Sequence, residues 1–128
     1  QVGDDVLRTL SKIIKSHADL YQGIVCRYGG EELAVIFEDA GESEALQRAE
    51  ALRIDTQNYE FIPKRKNGKI FTPIHFTISI GVAELDREKM NENDLIGAAD
   101  KALYLAKAQG KNQVVKYSDV ACLLPKSD

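Results

Sequence analysis

Apolar residues recur at helical spacing in three stretches of the chain. Residues 4–17, 42–54 and 93–107 place apolar side chains three and four positions apart, which predicts three amphipathic helices. The predicted apolar faces consist of Val6, Leu7, Leu10, Ile13 and Ile14, of Ala45, Leu46, Ala49 and Leu52, and of Leu95, Ala99, Leu103 and Ala106.

Polar residues and a glycine mark the ends of these helices. Asp4 or Asp5 is expected to cap the first helix, and Asn93 or Asp94 the third, because short polar side chains accept hydrogen bonds from the first backbone N–H groups. Gly110 is expected to end the third helix, since glycine adopts the left-handed backbone that closes many helices.

Short apolar runs around glycine turns predict the strands. Residues 23–27 and 32–37 flank Gly29-Gly30, which predicts a β-hairpin. A second hairpin is predicted over residues 58–73, with Asn67-Gly68 at its turn.

The C-terminal half adds two further strands and a tail. Residues 74–84 are rich in β-branched and aromatic residues and predict the longest strand, and Val114-Val115 predicts a last short one. The element order predicts an α+β sandwich, a mostly antiparallel central sheet flanked by helices. We assign residues 1–117 to one domain and residues 118–128 to a C-terminal tail with little pattern.

Composition narrows the classes of function. The chain has 128 residues, 44% of them hydrophobic, which suits one folded domain. A net charge of -3 argues against a nucleic-acid binder that works through global charge. Cys26 and Cys122 do not make a disulfide framework, so a reducing compartment is the simpler interpretation. No signal peptide or bilayer-length apolar run is present in these residues.

The stretch from Arg27 to Leu33 carries the most chemical information. Gly29 and Gly30 remove two Cβ atoms at a hairpin turn, so a ligand can approach the backbone closely. Glu31 and Glu32 follow, and their carboxylates share a face only if the backbone is bulged or still turning. Carboxylate oxygens suit Mg²⁺, which commonly joins one or two acids to substrate phosphates. By itself, such a turn is more often only structural.

Gly29-Gly30-Glu31-Glu32-Leu33 resembles the signature of the GGDEF family, the catalytic domain of diguanylate cyclases. Leu33 departs from the usual Phe. Four further stretches resemble family motifs in the same order, and together the resemblance covers residues 3 to about 117: Gly3 to Leu7, Ser79 to Ala83, Ala99 to Tyr104, and Ala106 to Asn112. The resemblance implies a palm-like nucleotidyl cyclase fold that condenses two GTP into cyclic di-GMP and two pyrophosphates.

The resemblance also implies roles for the acidic turn. Glu31 would be a metal ligand and a candidate base for the ribose 3′-hydroxyl, and Glu32 would support a second Mg²⁺ (or Mn²⁺) or the phosphates. Gly29 and Gly30 would let the nucleotide lie against the turn. Asp4 matches the family's acidic contact to guanine, with a plain helix N-cap as an equal alternative.

Two lysines match the positions that grip the terminal phosphates. Lys107 and Lys111 are spaced one helical turn apart, so both could face one polyanion. Lys111 stands where the family often has Arg, which keeps the charge but loses the bidentate fork. Without the other motifs, complementing the helix dipole would be the preferred interpretation of both lysines.

Two departures from the family pattern matter. Many members have an inhibitory product site, Arg-x-x-Asp, but the corresponding window here is Leu20 to Gly23, and no product inhibition is expected through it. In the family, Gly-Asp is preceded by a central strand with a metal-ligand Asp and an Asn that helps read guanine. The sequence begins after that strand, so we expect the longer polypeptide, a partner chain or a rearrangement to supply it. These 128 residues alone are expected to be an incomplete enzyme.

The family resemblance implies a homodimer, because each domain binds one GTP, together with a cytoplasmic location and an N-terminal sensor or receiver domain. Two alternatives stay open: a degenerate domain that binds GTP or cyclic di-GMP to regulate a partner, and a different nucleotidyl cyclase.

We expect several other polar and aromatic residues to have no catalytic or ligand-binding role. Asp100 is expected to be structural, Tyr104 and Phe76 to be core, and His17 and His75 to bind no metal. The basic residues near the second hairpin turn are expected to form a solvated loop; they are Lys64, Arg65, Lys66 and Lys69.

Overall fold

The computed structural model describes residues 2–29, 32–62 and 72–121, which form four helices and four strands. In chain order they are α1 (Val2–Asp19), β1 (Ile24–Gly29), β2 (Glu32–Ile36), α2 (Glu42–Asn58), β3 (Ile80–Val82), α3 (Glu92–Ala108), β4 (Val114–Lys116) and α4 (Tyr117–Ala121). The residues form two compact units, Gln1–Glu38 with Ile54–Phe76, and Asp39–Arg53 with Thr77–Asp128.

The first unit contains α1 and the predicted hairpin. β1 and β2 pair antiparallel, from Ile24 opposite Ile36 to Gly29 opposite Glu32. Helix α1 contacts β1 and buries Ile14 and Ala18, one turn apart on its apolar face. The first helix and the hairpin are therefore confirmed, with a helix longer than predicted at both ends.

The second predicted hairpin lies mostly outside the described residues. Its turn, Asn67-Gly68, and the basic residues beside it belong to that part, as does Cys122. At its base, Phe61 and Ile74 exchange two backbone hydrogen bonds of 2.9 and 2.7 Å as an antiparallel bridge. Phe61 is buried, whereas Ile74 is partly exposed.

The second unit is built around a parallel strand pair connected by a helix. β3 and β4 pair from Ile80 opposite Val114 to Val82 opposite Lys116, with α3 between them in the chain. Two parallel neighbouring strands need such a crossover, because the chain must return to the end of the sheet where the first strand began. This β3–α3–β4 arrangement was not predicted from the sequence.

Helix α3 buries a stripe of alanines against this pair. Ala98, Ala102 and Ala106 are buried at intervals of four residues, while Leu95, Ala99 and Leu103 are only partly buried. The buried face of α3 is therefore rotated by about one residue from the predicted face, toward the alanines. Small residues let the backbone of β3 approach the helix closely. This close approach also requires a glycine at position 81 of the strand.

Four sequence predictions about local structure are corrected. The strand predicted over residues 74–84 extends only over Ile80–Val82, because β4 supplies just three partner residues. Asn91, rather than Asn93 or Asp94, caps α3. Tyr104, predicted as core, is 75% exposed. The first residues assigned to the tail belong to α4, whose Val120 packs with the buried alanines of α3.

The caps of α2 and α3 have different origins. Asn91 accepts a hydrogen bond from the Asp94 N–H, and the Asp94 carboxylate accepts one from the Asn91 N–H, both at 2.9 Å. This reciprocal box is local in sequence. At α2, the Gly41 N–H donates locally to Glu44 Oε1 at 3.3 Å, and the Glu42 N–H donates to the carboxylate of Glu84, 2.5 Å away and 42 residues later in the chain.

Candidate functional site

The turn between β1 and β2 carries the predicted acidic site. Arg27 pairs with Leu33 and Gly29 with Glu32, so Tyr28 is the additional residue of a β-bulge on the glycine strand. A bulge bends and twists its strand at that point. This bulge is on the strand opposite Glu32 and lies directly beside it. Gly30 and Glu31 are outside the described residues.

No atom of the described residues fills the space beside Gly29. A Cβ added at Gly29 would meet no atom of the described residues within 4 Å, so packing inside the protein does not require a glycine there. The neighbouring Tyr28 is 53% exposed, and Glu32 is partly buried at the start of β2. An open surface over backbone, next to a carboxylate, suits the approach of a ligand.

Asp4 lies inside α1 rather than at its N-cap. The helix already begins at Val2, so Asp4 occupies the first turn, where its exposed carboxylate is favourable beside the positive end of the helix dipole. The N-cap interpretation of Asp4 and Asp5 is therefore wrong. Asp5 instead pairs with Arg8 at 3.5 Å.

The two lysines have different backbone settings. Lys107 is exposed in the last turn of α3, which ends at Ala108. Lys111 is exposed beyond the helix, with a left-handed φ of 63°, so the two lysines are not neighbours on one helix. Gly110, with a φ of 119°, follows the C-cap and ends the helix as predicted, and the Lys111 N–H donates to the Ala106 carbonyl at 3.0 Å.

An arginine that the sequence analysis did not single out holds the segment after Lys111. Arg53 Nη1 donates to Asn112 Oδ1 at 2.9 Å, and its Nε donates to Glu50 Oε1, also at 2.9 Å. The Asn112 N–H donates to Ser79 Oγ at 3.2 Å. Only 17% of the Arg53 side chain is exposed. The hydrogen bond that Arg53 donates to Glu50 raises the pKa of Arg53, against the opposing effect of burial.

The sequence contains only a faint signal for this contact. Glu50 and Arg53 are three residues apart on a helix, a spacing typical of an ordinary surface ion pair. The contact with Asn112 joins residues 59 positions apart, and local periodicity carries no information at that distance.

The turn from Leu20 to Gly23, in the window of the family's product site, packs against β2 and the residue after it. A Cβ at Gly23 would lie 2.6 Å from the Phe37 ring and 3.2 Å from Val35 Cγ1. Tyr21 packs edge-to-face on Phe37, with ring centroids 6.2 Å apart. Leu20 itself is 71% exposed. An aspartate in place of Gly23 would require the Phe37 ring to move.

The two histidines have partners in the first unit. His17 Nε2 lies 2.6 Å from Asp55 Oδ2, and His75 Nδ1 lies 3.3 Å from the Gln57 carbonyl oxygen. Among the described residues, no three His, Cys, Asp or Glu side chains group closely enough to hold a metal ion. Within the same part of the chain, no helix has both the length and the apolar character needed to span a membrane.

The described site residues divide between the two units. Asp4, Gly29 and Glu32 belong to the first, and Lys107 and Lys111 to the second. The family profile "Diguanylate cyclase, GGDEF domain" matches residues 1–113. The chain belongs to the GGDEF family. This membership confirms the resemblance carried by the five sequence motifs.

Curated relatives of this GGDEF domain are larger proteins. The response regulator PleD of Caulobacter vibrioides is 36% identical over 120 residues, which cover 89% of this chain and 24% of PleD. Diguanylate cyclase A of Treponema denticola is 36% identical over 115 residues, covering 88% of this chain and 28% of that protein. Diguanylate cyclase DosC of Escherichia coli is 35% identical over 112 residues, covering 88% and 23%. The chain spans about a quarter of the length of these relatives.

Solved structures confirm the α+β fold of this GGDEF domain. The GGDEF domain of DgcB from Caulobacter crescentus, in complex with c-di-GMP, matches with a TM-score of 0.78 and 29% identity. That match covers 92% of this chain and 66% of the DgcB chain. The active GGEEF domain of a diguanylate cyclase from Vibrio cholerae matches with a TM-score of 0.70 and 27% identity, covering 90% and 68%.

Proposed function

We propose that the protein containing this domain is a diguanylate cyclase that condenses two GTP molecules into cyclic di-GMP, releasing two pyrophosphates. The observation that carries the proposal is the bulged glycine hairpin, with open space at Gly29 and the acids of the family signature immediately after it. Family membership and relatives named as diguanylate cyclases support the same activity.

The acidic turn would bind the metal. Glu32 at the start of β2, together with Glu31, offers hard carboxylate oxygens, and this donor set fits Mg²⁺ or Mn²⁺ shared with substrate phosphates. Such a cation, when bound, neutralises charge that develops on the phosphates. Glu31 would also accept the proton of the ribose 3′-hydroxyl. The Vibrio cholerae structure is described as an active GGEEF domain, which supports glutamate at the third signature position.

The remaining contacts would orient the nucleotide. Gly29 and Gly30 leave room for it against the turn, and Asp4 would accept hydrogen bonds from guanine N1–H and the exocyclic amine. With the N-cap role removed, the exposed carboxylate of Asp4 is available for this contact. Lys107 and Lys111, both exposed, would supply positive charge to the terminal phosphates.

Assembly and regulation follow from the reaction. Joining two GTP molecules held by two domains requires a homodimer, at least during catalysis. The Leu20 to Gly23 window has neither the Arg nor the Asp of the family's product site, which supports the absence of product inhibition through it. We further propose a cytoplasmic domain, where GTP is available, under the control of a sensor or receiver domain.

The proposal is tested by GTP turnover in the full-length protein with Mg²⁺, with cyclic di-GMP separated by chromatography. Glu31→Ala should abolish product formation. Glu38→Ala, which removes an exposed acid just beyond the other end of the hairpin, is the matched control and should retain activity. No product from the parent at concentrations that favour dimers would contradict the proposal. Direct titration with GTP and cyclic di-GMP would then test a regulatory binding domain.

A further inference from the structure

The backbone that presents Lys111 has a rare conformation. Gly110, Lys111 and Asn112 have φ values of 119°, 63° and 49°, so three consecutive residues have positive φ. Glycine adopts such angles easily and asparagine tolerates them, but lysine does so uncommonly. A strained segment persists only when surrounding contacts hold it in place.

Those contacts converge on Asn112. Its N–H donates to Ser79 Oγ beside β3, and its side-chain oxygen accepts from Arg53 Nη1 on α2. The next residue, Gln113, accepts a 3.0 Å hydrogen bond at its carbonyl from the Ile80 N–H. The residue after Lys111 is therefore fixed by both a helix and a strand.

Arg53 is itself held rigidly. Its Nε and Nη2 both donate to Glu50 Oε1, which leaves Nη1 directed to Asn112. A planar guanidinium can contact two partners at a fixed angle, whereas a lysine ammonium cannot reproduce this fork. The low exposure of the Arg53 side chain limits its freedom further.

We propose that Arg53 is a positioning residue that acts through Asn112 to hold Lys111 in the orientation needed to bind a polyphosphate. This inference rests on the proposed function, since it assigns the phosphate contact to Lys111. Arg53 itself need not touch the substrate. Its role is to restrict the backbone conformations available to Lys111 before binding, which lowers the conformational entropy lost when the polyphosphate binds.

The test is a calorimetric titration of the full-length protein with sodium tripolyphosphate, which needs the lysines but not the guanine contacts. Lys111→Met should weaken the affinity about tenfold, the factor that corresponds to about 1.4 kcal/mol. Arg53→Met should weaken it by a similar factor, and the double variant should be no weaker than either single variant. Arg53→Lys should not restore the affinity.

Arg48→Met is the matched control. Arg48 lies on the same helix, is 19% exposed and pairs with Glu44 at 3.7 Å, so it represents a structural arginine of similar burial. Its replacement should leave tripolyphosphate affinity unchanged. Should Arg53→Met fail to fold, Asn112→Gly gives the same test, because glycine keeps the positive φ while removing the acceptor.

Several results would overturn the inference. They are no binding of tripolyphosphate by the parent protein, unchanged affinity in Arg53→Met or in its substitute Asn112→Gly, and additive losses in the double variant. In GTP turnover, Arg53→Met should raise KM with little change in kcat, the pattern of lost ground-state binding. A parent whose tripolyphosphate affinity depends on Lys111 and Arg53 but which makes no cyclic di-GMP would refute the proposed function and leave this inference standing.

Discussion

Replacing Gly81 with alanine tests whether β3 and α3 are in backbone contact. A Cβ at Gly81 would lie 2.2 Å from the Ala99 carbonyl oxygen and 2.4 Å from the Leu103 nitrogen. Ordinary contacts of a Cβ begin at 3.4 Å, so both atoms are about 1 Å or more too close. Because they belong to the helix backbone, no side chain can rotate away, and the whole helix must shift.

The expected cost of Gly81→Ala follows from this geometry. Overpacking of a core costs about 1–3 kcal/mol, and a clash with helix backbone belongs at the upper end, about 3 kcal/mol. A typical domain has a free energy of unfolding of only about 5–15 kcal/mol, so the loss is severe. For a domain of this size it corresponds to a decrease in Tm of roughly 10 °C.

Urea and thermal unfolding would measure this loss, with hydrogen exchange in β3 and α3 assigning it to this packing. Gly97→Ala is the matched control, since Gly97 lies within α3 and a Cβ there would meet nothing within 4 Å. That change should stabilise the helix by about 0.5–1 kcal/mol. If Gly81→Ala unfolds within about 0.5 kcal/mol of the parent, the close approach of strand and helix is wrong.

Three further substitutions distinguish two residues that cap helices from one that is proposed to contact the substrate. Asn91→Ala removes one half of the capping box with Asp94 and should lower the free energy of unfolding by about 1 kcal/mol in urea denaturation; a change below about 0.3 kcal/mol would contradict that role. Glu84→Ala removes the carboxylate that accepts from the Glu42 N–H and should cost about 1 kcal/mol, with faster hydrogen exchange in the first turn of α2; unchanged exchange there would count against the cap. Asp4→Ala should reduce the preference for GTP over ITP, which lacks the exocyclic amine, by about tenfold in kcat/KM. It should lower the free energy of unfolding by no more than the helix-dipole contribution, about 0.3–1 kcal/mol. An unchanged ratio would exclude the guanine contact.

Local patterns in the sequence were sufficient for α1, α2, α3 and the first hairpin, but not for α4. Helical periodicity located α1, α2 and α3, because each buries one face and the spacing of apolar residues records it. The capping box of α3 was also visible as Asn-x-x-Asp, although the predicted cap was two or three residues late. The motifs identified the family because they combine residue type with order along the whole chain.

The active-site assignments depended on the family resemblance, and the structure altered their geometry. In the sequence, Lys107 and Lys111 have the spacing of one helical turn, but α3 ends at Ala108 and a left-handed segment presents Lys111. The bulge at Tyr28, on the strand opposite Glu32, was not predicted, since pairing register depends on the partner strand. The catalytic roles themselves stay predictions.

By itself, the sequence determined where α1, α2 and α3 lie, where the glycine hairpin lies and which family the chain resembles, because these properties are recorded in residues close together in the chain. Only the tertiary structure decided how far the predicted strand at residues 74–84 extends, which carboxylate caps α2, and what holds Asn112. Each of these depends on a partner tens of residues away: Val114–Lys116 for β3, Glu84 for Glu42, and Arg53 for Asn112. A backbone group or side chain takes its partner from whatever the fold brings within hydrogen-bonding distance, and periodicity along the chain does not encode that distance.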